Sequence, residues 1–333
     1  MQRKIKLPHK VFLANLPTPI HRLDRLSETF GVDVFIKRDD MTGGVETGNK
    51  IRKLEFIVAD ALRKGYDTIV TCGGADSNHC RATAVACARY GLHAVLLLRK
   101  PTADITGNLV LDKLVGADVR FFEPEVYYSQ LANIKDEVLT ELDRKGKKGY
   151  WVPVGASIPL GAVGYVGCAA EVADFEKKNK MSFDVIFFAT GSGGTAGGLL
   201  VGSKVFDLKA RIVGVNTGED ASELRRTTLE VARGCAAIIG SPVSFKSKDV
   251  IILNGYDAGG YGLVDENVVK TILRFAREEG IVLDPVYTAK AAAGMVGEME
   301  KGKIRKGKKV LFIHTGGVFG LFAHRRLLLG EGD

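Results

Sequence analysis

Short apolar runs alternate with longer amphipathic segments along most of the chain. In residues 51–64, Ile51, Leu54, Ile57 and Val58 repeat at helical spacing, and a glycine then ends the pattern. Strand-like runs occur at 35–40, 68–71, 93–98, 118–122, 183–189, 211–216 and 310–314. Because continuous apolar strands that alternate with helices are typical of parallel sheets covered on both faces, we expect an α/β fold.

The chain shows no fixed-period repeat and no low-complexity linker. We therefore expect two interleaved domains rather than two domains joined by a tether. The predicted architecture is two open, twisted, mostly parallel sheets with helices on both faces. We place the smaller α/β domain at residues 52–160, inserted into a large domain formed by residues 1–51 and 161–333.

Composition narrows the class of protein. The chain has 333 residues, of which 46% are hydrophobic, so it can bury a large core. No apolar run approaches the roughly 18–20 residues of a membrane span, and no apolar signal segment follows the basic N-terminus. The five cysteines form no CxxC pair, which is typical of reduced thiols in the cytoplasm. We expect a cytoplasmic protein without membrane association.

The net charge of +8 raises the question of a nucleic-acid partner. Its densest stretch, Lys301–Lys309, lies before a predicted strand and lacks interleaved aromatic residues. We interpret it as a solvated turn and expect no nucleic-acid binding. The positive balance can also help to attract an anionic substrate or cofactor.

Three glycine-rich loops follow predicted strands, at 73–79, 190–195 and 315–317. In open α/β sheets, ligands bind beyond the carboxyl ends of the strands, so these loops mark a candidate site. The middle loop contains Gly191, Ser192, Gly193, Gly194 and Thr195. Its backbone N–H groups at a helix start, together with the two hydroxyls, suit a phosphate group.

The middle loop leaves the kind of phosphate ligand open. No Gly-Lys-Ser/Thr follows, so it is not a P-loop. Gly191, Gly193 and Ala196 match G-x-G-x-x-A, which keeps a dinucleotide, and hence a nicotinamide-dependent oxidoreductase, as an alternative. The acidic residue that this fingerprint also requires comes late, at Glu219.

The first loop places Ser77, Asn78 and His79 at a predicted helix start. Ser77 can act simply as an N-cap, and Asp76 is a second candidate for that role. No G-x-S-x-G motif is present, so a hydrolase triad is not indicated. His79 and His314 show no metal-ligand spacing, and we expect no metal.

Lys50 follows Gly48 and Asn49 at the start of another predicted helix. A cation there opposes the helix dipole, which favours negative charge at the N-terminus. Lys50 is therefore either an ordinary exposed lysine or a lysine whose amine does chemistry.

Five segments together resemble one family. The segments are KRDDMTGGVETGNKIRKLEF, GGADSNHCRATA, TGSGGTAGGL, DPVYTAKA and FIHTGG, and LPTPIHRLDRL near the N-terminus also fits. Their order and spacing resemble those of the D-cysteine desulfhydrase and 1-aminocyclopropane-1-carboxylate deaminase family. The resemblance spans nearly the whole chain and implies a pyridoxal-phosphate enzyme of the tryptophan synthase β-like fold, in which the large domain binds the cofactor.

The resemblance assigns roles to residues of the candidate loops. It implies that Lys50 forms the Schiff base with the cofactor and that Asn78 lies beside the ring hydroxyl. The phosphate would bind at Gly191, Ser192, Gly193, Gly194 and Thr195, and Thr315 can meet the pyridine nitrogen. The residues implied near the substrate are Asp76, Ser77, Asn78, His79, Tyr261, Tyr287, Thr288 and Gly316. Of these, Ser77, Tyr261 and Tyr287 join Lys50 as expected catalytic residues.

Position 288 bears on the reaction. The deaminases of this family typically have a glutamate there, against the pyridine nitrogen, whereas this chain has Thr288. A neutral hydroxyl stabilises a carbanion less, which suffices when a β-substituent departs readily. We therefore expect β-elimination from a small amino acid, with D-cysteine, converted to pyruvate, sulfide and ammonia, as the best assignment. The cyclopropane deaminase reaction, cysteate, D-serine and diaminopropionate stay open.

Asp76 departs from the usual motif, where a glutamine precedes the serine. It either caps the helix or favours a substrate with a second cationic group. The resemblance also implies a homodimer.

Overall fold

The computed structural model describes residues 5–101 and 107–329. The outer ends of the predicted large domain, residues 1–4 and 330–333, lie outside the described residues. So do residues 102–106, which belong to the predicted smaller domain.

The described strands form two separate sheets. In chain order the strands are β1 Ile20–Arg22, β2 Asp33–Lys37, β3 Thr68–Gly74, β4 His93–Arg99, β5 Asp118–Phe122, β6 Gly149–Val152, β7 Val185–Thr190, β8 Arg211–Asn216, β9 Ile251–Leu253 and β10 Lys309–Ile313. The six-stranded sheet has the order β1-β2-β10-β7-β8-β9, and the four-stranded sheet has the order β5-β4-β3-β6. Every pairing is parallel except that of β1 with β2.

Helices cover both faces of both sheets. They are α1 Asp24–Phe30, α2 Asn49–Arg63, α3 Asn78–Arg89, α4 Asn108–Leu114, α5 Pro124–Arg144, α6 Pro159–Asn179, α7 Gly194–Val205, α8 Ala221–Ile238, α9 Glu266–Glu279, α10 Thr288–Glu300 and α11 Arg325–Leu329. Short 3-10 helices occur at Asp39–Met41, Val154–Ala156, Ser247–Asp249 and Val318–His324. None of the described helices is long and apolar enough to cross a membrane.

Strand β7 shows why the strands read as continuous apolar runs. Ile186 and Phe188 pack into the core beside α6, α7 and α8, whereas Val185 and Phe187 pack into the core beside α9 and α10. Successive side chains of a strand point to opposite faces, so a strand between two helical layers needs apolar residues at every position. The predicted fold class, two mostly parallel sheets with helices on both faces, is confirmed.

Most predicted elements lie within two or three residues of their observed bounds, but several differ. The loop at 315–317 precedes the 3-10 helix Val318–His324 rather than a regular α-helix. Both predicted domain boundaries fall inside helices, since α2 spans 51–52 and α6 spans 160–161. All four strands of the smaller sheet lie within the predicted inserted segment. The division into domains stays a prediction.

Candidate active site

The three glycine-rich loops and the start of α2 surround one cavity of about 660 Å³. The loops follow β3, β7 and β10, so the cavity lies at the carboxyl ends of strands from both sheets. This is the place where ligands bind in open parallel sheets.

The loop that carries Lys50 is fixed to the loop after β10. Gly48 has a φ of 105° and precedes the first turn of α2. The Asn49 N–H donates to the Thr315 carbonyl at 3.0 Å, and a Cβ on Gly316 would lie 2.7 Å from the Gly48 Cα. Glycine is therefore required on both sides of this contact, which holds Lys50 at the cavity wall.

The Lys50 amine is in an environment that favours its neutral form. Burial is the largest cause, and it lowers the pKa of Lys50 to about 8 against the opposing effect of Asp284. The Nζ atom donates to Asn49 Oδ1 at 2.9 Å and lies 5.7 Å from the centre of the Tyr287 ring. A partly buried lysine with a lowered pKa at a helix N-terminus can act as a nucleophile towards a carbonyl group.

The loop after β7 forms a cradle at the start of α7. Gly193 has a φ of 80°, and Ser192 Oγ accepts a hydrogen bond from Ser157 Oγ at 2.7 Å. Asn49 Nδ2 donates to Thr195 Oγ1 at 3.2 Å, which joins the cradle to α2. Gly191, Ser192, Gly193 and Thr195 line the cavity. Gly194 does not line it and instead begins the helix.

Lys53 adds a second amine beside the cradle. A Cβ on Gly194 would lie 2.8 Å from Lys53 Nζ, so only glycine leaves room for this amine. Nζ donates to the Gly155 carbonyl at 3.0 Å, and burial, followed by the nearby Lys50, lowers the pKa of Lys53 well below its usual value. A buried amine without an anionic partner beside a helix N-terminus suits a bound phosphate.

The loop after β3 presents polar side chains from the first turn of α3. Ser77 is the N-cap, and its Oγ accepts from the Cys80 N–H at 3.2 Å. Asn78 Oδ1 accepts from Asn108 Nδ2 at 3.1 Å, so the Asn78 amide has its own N–H groups available to donate. Both Ser77 and Asn78 line the cavity.

His79 also lines the cavity, but its ring is engaged in the wall. Nε2 is 2.8 Å from Thr71 Oγ1, which in turn donates to the Val152 carbonyl. Thr71 Oγ1 must therefore accept a hydrogen bond from the Nε2–H of His79. Burial, followed by the nearby Lys50 and Lys53, lowers the pKa of His79 well below its usual value, which favours the neutral ring.

Two tyrosines form a pair opposite Lys50. The hydroxyls of Tyr261 and Tyr287 are 2.6 Å apart, and both residues line the cavity. Burial raises the pKa of each phenol. Gly218, with a φ of 127°, would place a Cβ 2.1 Å from the Tyr261 N atom, so glycine at 218 allows this loop to approach. Each hydroxyl is protonated and linked to the other, and the pair can relay a proton.

Two predicted substrate contacts lie elsewhere. Thr288 is fully buried, and its Oγ1 donates to Asp284 Oδ1 at 2.6 Å, because Asp284 binds the first turn of α10. Thr288 does not line the cavity, whereas Thr315 and Gly316 do. Asp76 is exposed and does not line the cavity either. It does not cap α3, since Ser77 has that role.

Sequence reasoning missed several residues that line the cavity. They are Lys53, Arg99, Tyr127, Tyr128, Ser157 and Glu219 as a substrate-site residue. Lys53 could have been found, because residues three apart on a helix share a face and Lys50 was already a candidate. Among the described residues, no group of three or more His, Cys, Asp or Glu side chains could hold a metal ion.

The residues present fit pyridoxal phosphate. An amine with a lowered pKa, a glycine cradle with a second amine, and an amide donor line one cavity large enough for a cofactor and a small substrate. Each chemical part of the cofactor, its aldehyde, phosphate and ring hydroxyl, has a matching group among these residues.

Comparisons with known proteins agree with this fit. The model of a family described as pyridoxal-phosphate dependent enzymes matches residues 11–316. The D-cysteine desulfhydrase of Yersinia enterocolitica is 38% identical over 97% of this chain and 98% of its own length. The mitochondrial bifunctional D-cysteine desulfhydrase/1-aminocyclopropane-1-carboxylate deaminase of Arabidopsis thaliana is 38% identical over 94% of this chain and 79% of its own length.

A solved structure is also similar over the whole fold. The crystal structure of an ACC deaminase homologue has a TM-score of 0.89 and 38% identity, and the match covers 98% of this chain and 96% of that chain. These matches confirm pyridoxal phosphate as the cofactor and exclude the nicotinamide alternative left open by the glycine loop. The chain belongs to the family of pyridoxal-phosphate dependent enzymes.

Proposed function

We propose that the protein is a lyase that removes the β-substituent of a small amino acid, with D-cysteine as the best-supported substrate. The observation that carries this proposal is the Lys50 amine, which has a lowered pKa and faces both the phosphate cradle and the tyrosine pair. The products from D-cysteine are pyruvate, sulfide and ammonia.

Residues of this chain would hold the cofactor at three points. Lys50 would bind its aldehyde carbon, the cradle at 191–195 with Lys53 its phosphate, and Asn78 its ring hydroxyl. When bound, pyridoxal phosphate withdraws electrons from the α-carbon of an attached amino acid. Thr315 contributes a neutral hydroxyl to the cavity wall.

The substrate would be oriented by the first turn of α3. Ser77 Oγ accepts from Cys80 N–H, which leaves its own O–H to donate to the substrate carboxylate. The first N–H groups of a helix have no intrahelical acceptor and favour an anion. The substrate amine would replace Lys50 at the aldehyde carbon, which frees the Lys50 amine to remove the α-proton. The tyrosine pair would supply a proton to the departing substituent.

The choice between elimination and cyclopropane opening rests on the carboxylates near the site. Glu219 is the one carboxylate side chain among the described residues that line the cavity. Asp284 lies near Lys50, but its oxygens accept hydrogen bonds from the N–H groups of Val286, Tyr287 and Thr288. The cavity residue expected to meet the pyridine nitrogen is Thr315, whose hydroxyl is neutral, and not a carboxylate. A neutral group stabilises a carbanion less, which supports β-elimination over cyclopropane opening. The deaminase reaction is the second candidate, because relatives of both names match the chain, a putative deaminase at 41% identity and a D-cysteine desulfhydrase at 38%.

A substrate panel tests the proposal. The holoenzyme is assayed for pyruvate with D-cysteine, L-cysteine, cysteate, D-serine and diaminopropionate, and for 2-oxobutyrate with 1-aminocyclopropane-1-carboxylate. We expect D-cysteine to give the highest kcat/KM and Lys50→Ala to abolish turnover and the visible absorbance of the bound cofactor. Formation of 2-oxobutyrate as the dominant activity would establish the deaminase instead.

We also propose a cytoplasmic homodimer. The family resemblance supports the dimer, and the five cysteines, all buried and unpaired, fit a reducing compartment. Light scattering of the holoenzyme checks the dimer, and a monomeric mass would contradict it.

A further inference from the structure

A series of hydrogen bonds runs from Arg81 through Asn108 to Asn78. Asn78 and Arg81 lie one turn apart on α3, and Asn108 is the first residue of α4. Arg81 Nε donates to Asn108 Oδ1 at 2.7 Å, and Asn108 Nδ2 donates to Asn78 Oδ1 at 3.1 Å and to the Asp76 carbonyl at 2.8 Å. Arg81 and Asn108 are fully buried and do not line the cavity, whereas Asn78 does. The series therefore connects the protein interior to the cavity wall.

The direction of this series is fixed at its buried end. An arginine side chain has only donors, so the Asn108 atom that faces Arg81 Nε must be the amide oxygen. A backbone carbonyl only accepts, so the Asn108 atom that faces the Asp76 carbonyl must be the amide nitrogen. The two contacts require the same orientation of the Asn108 amide. The reverse orientation would leave both buried ends of the amide without a partner, which costs free energy.

The Asn108 amide in turn fixes the Asn78 amide. Because Asn108 presents an N–H group to Asn78, the Asn78 atom in that contact must be the oxygen. Asn78 Nδ2 keeps both of its hydrogens for another acceptor, and among the described residues it has none. Asn78 is half-buried, so an acceptor that enters the cavity can take up these hydrogens.

Arg81 is itself held by the loop that carries Lys50. Its two terminal nitrogens donate to the carbonyl of Val45 and, at 2.8 Å, to the carbonyl of Thr47. These two carbonyls belong to the segment directly before α2. One guanidinium thus links the position of the Lys50 loop to the orientation of the Asn78 amide.

We propose that Asn108 is a positioning residue which, together with Arg81, makes Asn78 present its N–H groups, and not its oxygen, to the ring hydroxyl of pyridoxal phosphate. The inference rests on the proposed placement of Asn78 at that hydroxyl and does not depend on which substrate reacts. Hydrogen-bond donation favours the ionised form of a hydroxyl group. Asn108, which does not line the cavity, therefore controls the ionisation of the ring oxygen through Asn78.

The absorbance of the bound cofactor tests the inference without turnover. The form with an ionised ring oxygen absorbs visible light, and the form with a neutral hydroxyl absorbs in the near ultraviolet. Asn108→Asp keeps the shape of the side chain and still accepts from Arg81, but a carboxylate cannot donate to Asn78 Oδ1. The Asn78 amide should then turn its N–H groups to the carboxylate and its oxygen to the cofactor. We expect the ratio of visible to near-ultraviolet absorbance to fall by about 10- to 100-fold, the value of a hydrogen bond to a charged group.

Two further variants show whether Asn108 acts through Asn78. Asn78→Ala removes the donor itself and should lower the absorbance ratio. Adding Asn108→Asp to Asn78→Ala should then change the ratio no further, because the amide that Asn108 orients is absent. Asn108→Ala brings in no charge and should lower the ratio less than Asn108→Asp does, since the Asn78 amide is then free rather than reversed. Thermal unfolding of each holoenzyme confirms that the variant is folded.

Asp112→Asn is the matched control on α4. Asp112 is fully buried, and its carboxylate accepts no hydrogen bond among the described residues. Burial lowers the pKa of Arg81 to about 10, and the charge of Asp112 opposes this effect. The substitution therefore changes a buried carboxylate near Arg81 and leaves the hydrogen bonds of Asn108 in place. It should leave the absorbance ratio unchanged.

Three results would overturn the inference. One is an unchanged ratio in Asn108→Asp when Asn78→Ala lowers it. Another is an equal fall in Asp112→Asn, which would mean that any change near Arg81 disturbs the cofactor. The third is a further fall when Asn108→Asp is added to Asn78→Ala. If neither Asn78→Ala nor Asn108→Asp changes the ratio, the placement of Asn78 at the ring hydroxyl fails as well. The proposed elimination has its own test in the release of keto acids by the unaltered enzyme.

Discussion

Helix α2 carries basic side chains in two different environments, one with carboxylate partners and one without. Arg52 is fully buried and forms ion pairs with Asp39 at 2.8 Å and Glu171 at 2.7 Å. Lys50, two positions before Arg52, and Lys53, the next residue after it, form no ion pair among the described residues and line the cavity. Burial disfavours the charged form of a group that has no counter-ion. Arg52 has two carboxylate partners, whereas the two lysines have none and burial lowers their pKa values. The difference separates groups that hold the fold from groups that await an anionic ligand.

The ion-paired cluster of Arg52, Asp39 and Glu171 extends well beyond α2. Lys37 of β2 binds Glu171 at 2.6 Å, and the Tyr165 hydroxyl donates to Asp39 at 2.8 Å. Although burial opposes its ionisation, the Arg52 and Lys37 cations hold the pKa of Asp39 below its usual value. Two cations and two carboxylates thus tie α2, α6 and β2 together.

Removing Arg52 from the ion-paired cluster should have the largest effect on stability. Arg52→Met leaves the buried Asp39 and the partly buried Glu171 with Lys37 as the remaining cation of the cluster. We expect a loss of about 3–5 kcal/mol in the free energy of unfolding. Urea unfolding of the apoenzyme measures it. Arg63→Met is the control on the same helix, because the Arg63–Asp60 pair is exposed and should contribute about 0–1 kcal/mol. Equal losses in the two variants would show that the buried cluster does not stabilise the fold.

Replacement of Lys53 at the cavity should have the opposite effect on the stability of the apoenzyme. Lys53→Met removes a buried amine without an ionic partner, so we expect the apoenzyme to unfold at the same urea concentration or a higher one. Its affinity for pyridoxal phosphate should fall by about 10- to 100-fold, because a charged hydrogen-bonding partner of the phosphate is lost. Cofactor titration by absorbance measures the change.

The exposed Lys64 provides the control for that comparison. Lys64 lies near the end of α2, pairs with Asp60 and does not line the cavity, so Lys64→Met should leave the cofactor affinity unchanged. A Lys53→Met enzyme that lost stability but kept its cofactor affinity would place Lys53 with Arg52 among the groups that hold the fold.

The sequence predicted the cavity residue Lys50 of α2 better than the ion-paired Arg52. The helical stripe and the glycines before Lys50 are local signals. The order of the five motifs along the chain predicted which residues form the site. The partner of Arg52 is not local: Glu171 lies 119 positions away, and no pattern along the chain couples them. Strands β1, β6 and β9 were missed because three or four residues are too few to show a period.

Two site residues show why the rest of the cavity was less predictable. The predicted strand 93–98 ended one residue before Arg99, so a charge at the carboxyl end of a strand went unnoticed. Thr288 was placed at the cofactor by its neighbour Tyr287, but successive residues at a helix start point in different directions. Its hydroxyl is used by Asp284 instead. Motifs locate loops, and side-chain direction depends on contacts that only the fold supplies.

The pH dependence of cofactor capture tests the smallest expected effect of leaving Lys50 without an ion-pair partner. Burial, the largest cause, lowers the pKa of Lys50 to about 8, so half of the amine is neutral at that pH. Only the neutral amine attacks an aldehyde. The rate at which apoenzyme captures pyridoxal phosphate should therefore rise about tenfold per pH unit below about 8 and level off above it, as followed by stopped-flow absorbance. An ordinary lysine would keep rising to about 10.4. Lys50→Ala should lack the phase, and a rise that continues past pH 9 would mean that Lys50 is solvated like a surface lysine and gains nothing from its unpaired position.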